Sequence, residues 1–262
     1  MTFDHRDFPY PLNAFLHVLA REEGAVAALH YGLFESKGDS IGTAQERSTA
    51  LLIDRLPPPP ALLLEVGTGL GSTLARLAGL GYDAEGIAPD ERQIAAARSR
   101  FGAGLRAHVA ALETFETTRR FDAIVFQESS QYIESEALFR KTRSLAAAEA
   151  TVVVLDEFAL RPVDRPGALH RLDRFLDAAE REGFRREEEI DLSEAAAPTV
   201  DYFLERLPRH RASLAAELDL AEAQIDALIE SGKAYRDLYR SGAYGYRLLR
   251  FGAPSRGSVE TG

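Results

Sequence analysis

The sequence predicts an α/β fold in which helices flank a mostly parallel sheet. Short apolar runs alternate along the chain with segments of helical periodicity, a pattern typical of right-handed crossovers between parallel strands. The run Leu62 to Val66 is followed at once by three glycines, at 67, 69 and 71, and then by a helix start. A buried strand, a glycine turn and a helix in succession form a common ligand-binding unit. We therefore expect the ligand at the carboxyl ends of the strands.

Composition excludes several classes of function. The 262 residues are 45% hydrophobic and 27% charged, which is the ordinary globular range. A net charge of -10 gives no basic surface for nucleic acid. The chain has no cysteine, so it has no disulfide and no thiolate nucleophile. We find no metal-ligand spacing and no long apolar span, so we expect no metal, no membrane insertion and a cytoplasmic protein.

Residues 1–56 read as an N-terminal helical cover. Phe15 to Leu19 and Val26 to Leu29 supply apolar stripes at helical spacing. Ser40 or Thr43 is a candidate cap for a second helix, which is predicted to have one apolar face made of Ala44, Leu51, Leu52 and Leu56. The four prolines at 57–60 end this cover and deliver the chain to the first strand, because proline lacks the amide donor that a helix needs.

Residues 57–192 read as the Rossmann-like core of the fold. A helix over Thr73 to Leu80, capped by Ser72 or Thr73, follows the glycine loop, and Asp90 is expected to cap another helix that ends near Phe101. A further helix is predicted over Ser135 to Ala148. The strands of the core are predicted at Leu62 to Val66, Ala84 to Ala88, Leu105 to Ala110, Phe121 to Phe126, Thr151 to Leu155 and Phe184 to Leu192.

The alternation stops after the sixth strand. Val200, Phe203, Leu204 and Leu207 have helical spacing, so residues 193–241 are predicted to be a helical insertion that covers the substrate. Residues 242–252 alternate and are predicted to return as the seventh strand. The polar tail, residues 253–262, is predicted to be disordered.

The glycine loop differs in spacing from a dinucleotide fingerprint. That fingerprint has its third glycine three residues after the second, where this chain has Ser72. An acid that closes the first strand, followed by Gly-x-Gly-x-Gly, resembles motif I of the class I S-adenosylmethionine-dependent methyltransferases. The resemblance implies that Glu65 and the loop residues 67–69 and 71, namely Gly67, Thr68, Gly69 and Gly71, bind the cofactor. The alternative is a tight turn in another α/β protein.

A second resemblance, to the cyclopropane-fatty-acid synthases and mycolic acid methyltransferases, covers the flanks of the loop. Many methyltransferases bind the ribose through an acid after the second strand, whereas this chain has Ala88. In the cyclopropane group a glutamine makes that contact, and the matching residue is Gln93, whose alternative role is a solvated side chain. The segments around Tyr31 and Ser40 resemble the group's cover over the methionine end of the cofactor.

The fourth strand departs from the cyclopropane group. That group has a glutamate-histidine pair near a bicarbonate base, and this chain has Gln131 and Tyr132 there. The stretch from Gln127 through Glu128 is more similar to small-molecule methyltransferases, which implies that it lines the site. After the third strand, Leu112 is expected to pack on adenine and Glu113 to accept its amine protons.

The residues proposed for catalysis are Glu128, Tyr132 and Tyr31, because a protonated nucleophile needs a base near the methyl group. Further candidates that face the site are His30 and three insertion tyrosines, each with a packing role as the alternative: Tyr202, Tyr235 and Tyr239. The pair Asp156-Glu157 also follows a strand, and we interpret it as a cap of the next turn.

These resemblances imply an enzyme that uses S-adenosyl-L-methionine, releases S-adenosyl-L-homocysteine and methylates O, N or C of a small, partly apolar acceptor. One alternative is cyclopropane-synthase-like modification of unsaturated lipid chains. The other is a protein that binds the cofactor without catalysis.

Overall fold

The computed structural model of the chain describes residues 4–165 and 167–254. Within these residues, seven strands form one sheet with the spatial order β3-β2-β1-β4-β5-β7-β6. The strands are β1 Leu62–Val66, β2 Asp83–Ala88, β3 Ala107–Val109, β4 Phe121–Gln127, β5 Ala146–Ala159, β6 Arg185–Asp191 and β7 Tyr244–Gly252. Strands β1 to β5 are parallel, and β7 runs antiparallel between β5 and β6. The predicted seven-stranded, mostly parallel sheet is confirmed. Residues 255–262, which hold most of the predicted tail, lie outside the described residues.

Helices cover both faces of the sheet and the edge at which β1 and β4 end. They are α1 Leu12–Glu23, α2 Ile41–Ile53, α3 Ser72–Gly79, α4 Glu91–Phe101, α5 Ser135–Leu145, α6 Leu172–Arg181, α7 Ser193–Ala196, α8 Pro198–Arg206, α9 Arg211–Leu218 and α10 Glu222–Arg240. Of these, α7 to α10 stand between β6 and β7. Among the described residues, no helix is both long and apolar enough to cross a bilayer.

The hydrophobic core is divided by the sheet into two layers. Phe126, Phe139 and Phe251 belong to the layer on one face, and Leu63, Leu155 and Leu248 to the layer on the other. A third cluster joins α1 to α8, α9 and α10 through residues such as Leu16 and Ile225. This third cluster fixes the helical cover over the end of the sheet.

Three local predictions were wrong. The helix predicted to reach Ala148 ends at Leu145, because Ala146 pairs with Phe121 and begins β5. Sheet pairing here overrides the helix propensity of alanine. The helix α2 ends at Ile53 and does not include Leu56. The cap of α3 is not a hydroxyl side chain, since Gly71 occupies the cap position.

Gly71 is required by packing. Its φ is +80°, and a Cβ there would lie 2.7 Å from the Cβ of Ala97 in α4. Both the backbone conformation and the approach of the next helix therefore exclude a side chain.

Gly71→Ala should lower the free energy of unfolding by about 2 kcal/mol or more, since it adds a strained dihedral and an overlap with α4. Urea denaturation measures this loss. The matched control is Gly79→Ala in α3, where a Cβ would meet nothing within 4 Å. An equal effect at the two glycines would show that the contact with Ala97 is unimportant.

Candidate active site

The site is a cavity of about 710 Å³ at the carboxyl ends of the parallel strands. The loop after β1, the ends of β2, β4 and β5, and the helices α1, α8 and α10 line it. Eleven of the thirteen residues assigned from sequence to catalysis or cofactor binding line this cavity: Tyr31, Glu65, Gly67, Thr68, Gly69, Gln93, Leu112, Glu113, Gln127, Glu128 and Tyr132. His30 and Tyr235, two of the further candidates, line it as well. Ser40 and Gly71 do not. Ser40 instead caps α2 by accepting a hydrogen bond from the amide of Thr43 at 3.0 Å.

The loop after β1 is held against β2. The amides of Gly67 and Thr68 donate to the carbonyl of Ile87 at 2.8 and 3.1 Å. At Gly69 the φ is +53°, and a Cβ would meet nothing nearer than 3.8 Å. Gly69 therefore combines a left-handed backbone with open space on the cavity side, which lets a ligand approach the chain closely.

Glu65, the residue before the last of β1, is a buried acid with one carboxyl oxygen that lacks a hydrogen-bond partner in the described part of the chain. Its side chain lines the cavity and is 2% exposed, and its Oε2 has no hydrogen-bond partner among the described residues. Burial raises the pKa of the Glu65 carboxyl to about 8. An unsatisfied buried carboxyl oxygen is costly, so a ligand with N-H or O-H groups would be favourable here.

The end of β2, the start of α4 and the segment after β3 also line the cavity. Ala88 and Pro89 follow β2, and Gln93 projects from the first turns of α4. Asp90 also lines the cavity, but its carboxylate is bonded to Arg92. Leu112 is buried at the far side beside Glu113. An apolar slot with few polar groups suits a flat heterocycle.

Glu128 follows β4 and joins three parts of the chain. Its φ is +54°, which is uncommon for a residue other than glycine. Its Oε1 accepts hydrogen bonds from the amide of Tyr31 at 2.5 Å and from the hydroxyl of Tyr246 at 2.7 Å. Burial first, then the nearby Glu157, holds the pKa of the Glu128 carboxyl well above its usual range. Glu128 is thus a carboxyl that releases its proton less readily than an exposed glutamate does.

Asp156 and Glu157, at the end of β5, have separate roles. Asp156 accepts from the Ser130 hydroxyl at 2.6 Å and from the Gln131 amide at 3.1 Å, so it holds the turn after β4. Glu157 lines the cavity and accepts from the Tyr239 hydroxyl at 2.5 Å. Burial raises the pKa of Asp156 to about 6 and that of Glu157 to about 7. Our interpretation of the pair as a cap did not anticipate that Glu157 lines the cavity. Its position near the carboxyl end of a parallel strand was a sequence signal for a residue of the site.

A layer of tyrosines surrounds these acids. The rings of Tyr31 and Tyr246 stack with centroids 5.7 Å apart and planes 5° apart. The ring centroid of Tyr239 also lies 6.4 Å from that of Tyr31. Tyr235 lines the cavity, and Tyr132 stands at its rim with 81% of its surface exposed. Tyr202 is not in the lining and donates to Glu23 at 3.0 Å.

His30 is a constrained neutral side chain. Its two ring nitrogens contact the carbonyl of Tyr31 at 3.0 Å and the hydroxyl of Thr49 at 3.1 Å. Burial lowers the pKa of His30 to about 4. Since both nitrogens are engaged, His30 positions the segment at Tyr31 and is a poor general base.

The remaining wall of the cavity is apolar and comes from the helical cover. It consists of Leu12, Phe15 and Leu19 of α1, Leu29, Val200, Phe203 and Leu204 of α8, Leu207 and Leu228 of α10. These side chains line the same cavity as the acids of the strand ends. The cavity therefore has a polar floor on the sheet and an apolar roof.

The fold is found in solved enzyme structures. No family model and no curated protein sequence matches the chain. A cyclopropane synthase from Mycobacterium tuberculosis superposes with a TM-score of 0.80 at 17% identity, over 96% of each chain. A [4+2]-cyclase superposes with a TM-score of 0.76 at 21% sequence identity, and the match covers 91% of this chain and 93% of the cyclase. A third match is a geranyl diphosphate C-methyltransferase from Streptomyces coelicolor, solved in complex with Mg²⁺, geranyl diphosphate and S-adenosyl-L-homocysteine. It superposes with a TM-score of 0.65 at 16% sequence identity, and the match covers 95% of this chain and 97% of that enzyme. The predicted class I methyltransferase fold is confirmed.

Glu65→Gln should remove part of the pH dependence of stability. Glu65 binds its proton more tightly in the folded protein, where its pKa is about 8, than at its ordinary value of 4.5. Its contribution is therefore complete below that ordinary value and is lost as the pH rises through the folded value. At pH 8 the variant should be more stable than the wild type by on the order of 4 kcal/mol, and near pH 4 the two should be nearly equal. Urea denaturation at several pH values measures the difference, and parallel profiles would contradict the assignment.

Proposed function

We propose that this chain, which has the fold of the class I S-adenosylmethionine-dependent methyltransferases, binds S-adenosylmethionine and transfers its methyl group to a small molecule. The observation that carries the proposal is one cavity in which the open face of Gly69 and the unpartnered oxygen of Glu65 lie at one end and Glu128 at the other. Such a cavity can hold a cofactor and an acceptor together.

The cofactor half would use the residues of the β1 loop. Glu65 is placed to accept from donor groups of the amino-acid end, and Gly69 allows close approach of the backbone. Gln93 would contact the ribose and Leu112 the adenine, with Gln127 and Glu113 beside them. When bound, the sulfonium supplies an activated methyl group.

The acceptor half would lie over β4 and β5. Methyl transfer is an in-line displacement, so the protein must mainly hold the nucleophile against the methyl group. Glu128 and Glu157 line this half and can each accept a proton from the nucleophile. Tyr31 is fixed by its stacking on Tyr246, and Tyr132 at the rim would close over the acceptor.

Modification of lipid chains is the second candidate, and the cyclopropane synthase with a TM-score of 0.80 favours it. Gln131 counts against it. Its side chain is bound to Asp156 at 3.1 Å, at the position where the resemblance would need a glutamate near bicarbonate.

Calorimetric titration with S-adenosylhomocysteine tests the cofactor assignment, with NAD as the negative control. Wild-type protein should bind the adenosyl compound and not NAD. Gly69→Ala should weaken this binding by about tenfold or more, equivalent to about 1.4 kcal/mol, because the added methyl group faces the ligand. Gly24→Ala is the matched control, since Gly24 also has a positive φ of 73° and open space around it but lies outside the lining. Unchanged affinity in Gly69→Ala would remove the loop from the site.

The lipid alternative is tested with phospholipid vesicles that contain unsaturated chains, S-adenosylmethionine and bicarbonate. Mass spectrometry of the acyl chains should show no added methylene group. A bicarbonate-dependent gain of one methylene group would replace our proposal with the second candidate.

A further inference from the structure

The charge of the cavity is one-sided. Its lining contains the carboxyl groups of Glu65, Asp90, Glu113, Glu128 and Glu157. Across the residues that the structure describes, no lysine or arginine belongs to this lining. Among the described residues, Asp90 alone of the five has an arginine partner, Arg92, at 2.9 Å. A ligand that enters the cavity therefore meets acids without compensating cations.

The two acids over the acceptor half are held by neutral donors. Glu128 accepts from a tyrosine hydroxyl and a backbone amide, and Glu157 accepts from the Tyr239 hydroxyl. The side chain of Glu157 is buried, with 5% of its surface exposed, and that of Glu128 is partly buried. Two neighbouring carboxyls that are largely removed from solvent are unfavourable as anions unless a positive charge joins them. The protein supplies none in the lining, so the stabilising charge would have to come with the ligand.

Aromatic rings stand beside these acids. Tyr31, Tyr235 and Tyr132 line the cavity together with Phe15 and Phe203. A ring face attracts an ammonium group, and cages of aromatic side chains are a common recognition device for alkylated ammonium ions. The apolar roof from α1, α8 and α10 continues this surface and suits an uncharged hydrocarbon body.

We propose that the methyl acceptor is an apolar amine, whose nitrogen lies between Glu128, Glu157 and the tyrosine rings and whose body packs under the helical cover. This inference rests on the proposed function and adds the class of acceptor to it. The cavity disfavours carboxylate and phosphate acceptors, because their charge would face Glu128 and Glu157.

The reaction balances with the groups present. An ammonium acceptor first gives a proton to the carboxylate of Glu157 or Glu128, which leaves a lone pair on nitrogen. The nitrogen then forms a bond to the methyl carbon of S-adenosylmethionine as the carbon-sulfur bond breaks. Sulfur keeps the electron pair of that bond and becomes the neutral thioether of S-adenosylhomocysteine. The product is a methylated ammonium ion, and the accepted proton passes to water.

The test is a binding comparison on protein saturated with S-adenosylhomocysteine, whose sulfur is neutral, so that the only added cation is the amine. A panel of apolar amines of several sizes is titrated, each beside the alcohol and the carboxylate with the same body; phenylbutylamine, phenylbutanol and phenylbutyrate are one such set. Amines that bind should have affinities about tenfold or more above those of their matched alcohols, since a hydrogen bond to a charged group is worth roughly 1.5–3 kcal/mol. The carboxylates should bind most weakly.

Glu157→Gln should abolish the preference for the amine over the alcohol, while its affinity for S-adenosylhomocysteine stays within about threefold. The control is Glu180→Gln, which changes an exposed acid of α6 outside the lining and should leave both quantities unchanged. Equal or tighter binding of alcohols or carboxylates by the wild type, or no binding by any amine of the panel, would overturn the inference while leaving the cofactor assignment intact. Failure of S-adenosylhomocysteine to bind would overturn the proposed function itself.

Discussion

The carboxyl group of Glu128 is the contact on which the architecture of the site depends. It lies at the end of β4, accepts the amide of Tyr31 from the N-terminal segment and accepts the hydroxyl of Tyr246 from β7. These three residues are far apart in the chain, and each hydrogen bond is made in a buried region where an unmade one would be costly. The tyrosine ring stacking and the position of the cover follow from this junction.

The N-terminal segment is bonded to α7 and α8 by further contacts. The amide of Gly32 donates to the Thr199 hydroxyl at 3.1 Å, and the amide of Phe34 donates to the carbonyl of Ala195 at 2.8 Å. The side chain of Gln45 donates to the carbonyl of His30 at 2.7 Å. The segment that forms one wall of the cavity therefore bonds both to α2 and to the helices before β7. These hydrogen bonds connect the helices over the cavity with the N-terminal segment that forms one of its walls.

The acids of the site differ in their hydrogen-bond partners. Asp156 is enclosed by donors from the turn after β4 and has a structural role, whereas its neighbour Glu157 faces the cavity. Successive strand residues point to opposite sides, so one acid can hold the turn while the next meets a ligand. Glu65 completes the set at the end of β1 with an oxygen that no described residue satisfies. The unmatched oxygen of Glu65 thus lies where a ligand would enter.

The sequence by itself determined the sheet, the β1 loop and the strand ends that carry Glu65, Glu128 and Glu157, because apolar periodicity and glycine spacing are local properties. It did not locate the end of α5, where pairing of Ala146 with Phe121 outweighs helix propensity, or the outward position of Ser40. Only the tertiary structure decided that Glu128 meets Tyr31 and Tyr246 and that no lysine or arginine of the described residues belongs to the lining. Those features depend on contacts between residues up to 118 positions apart, which no local pattern records.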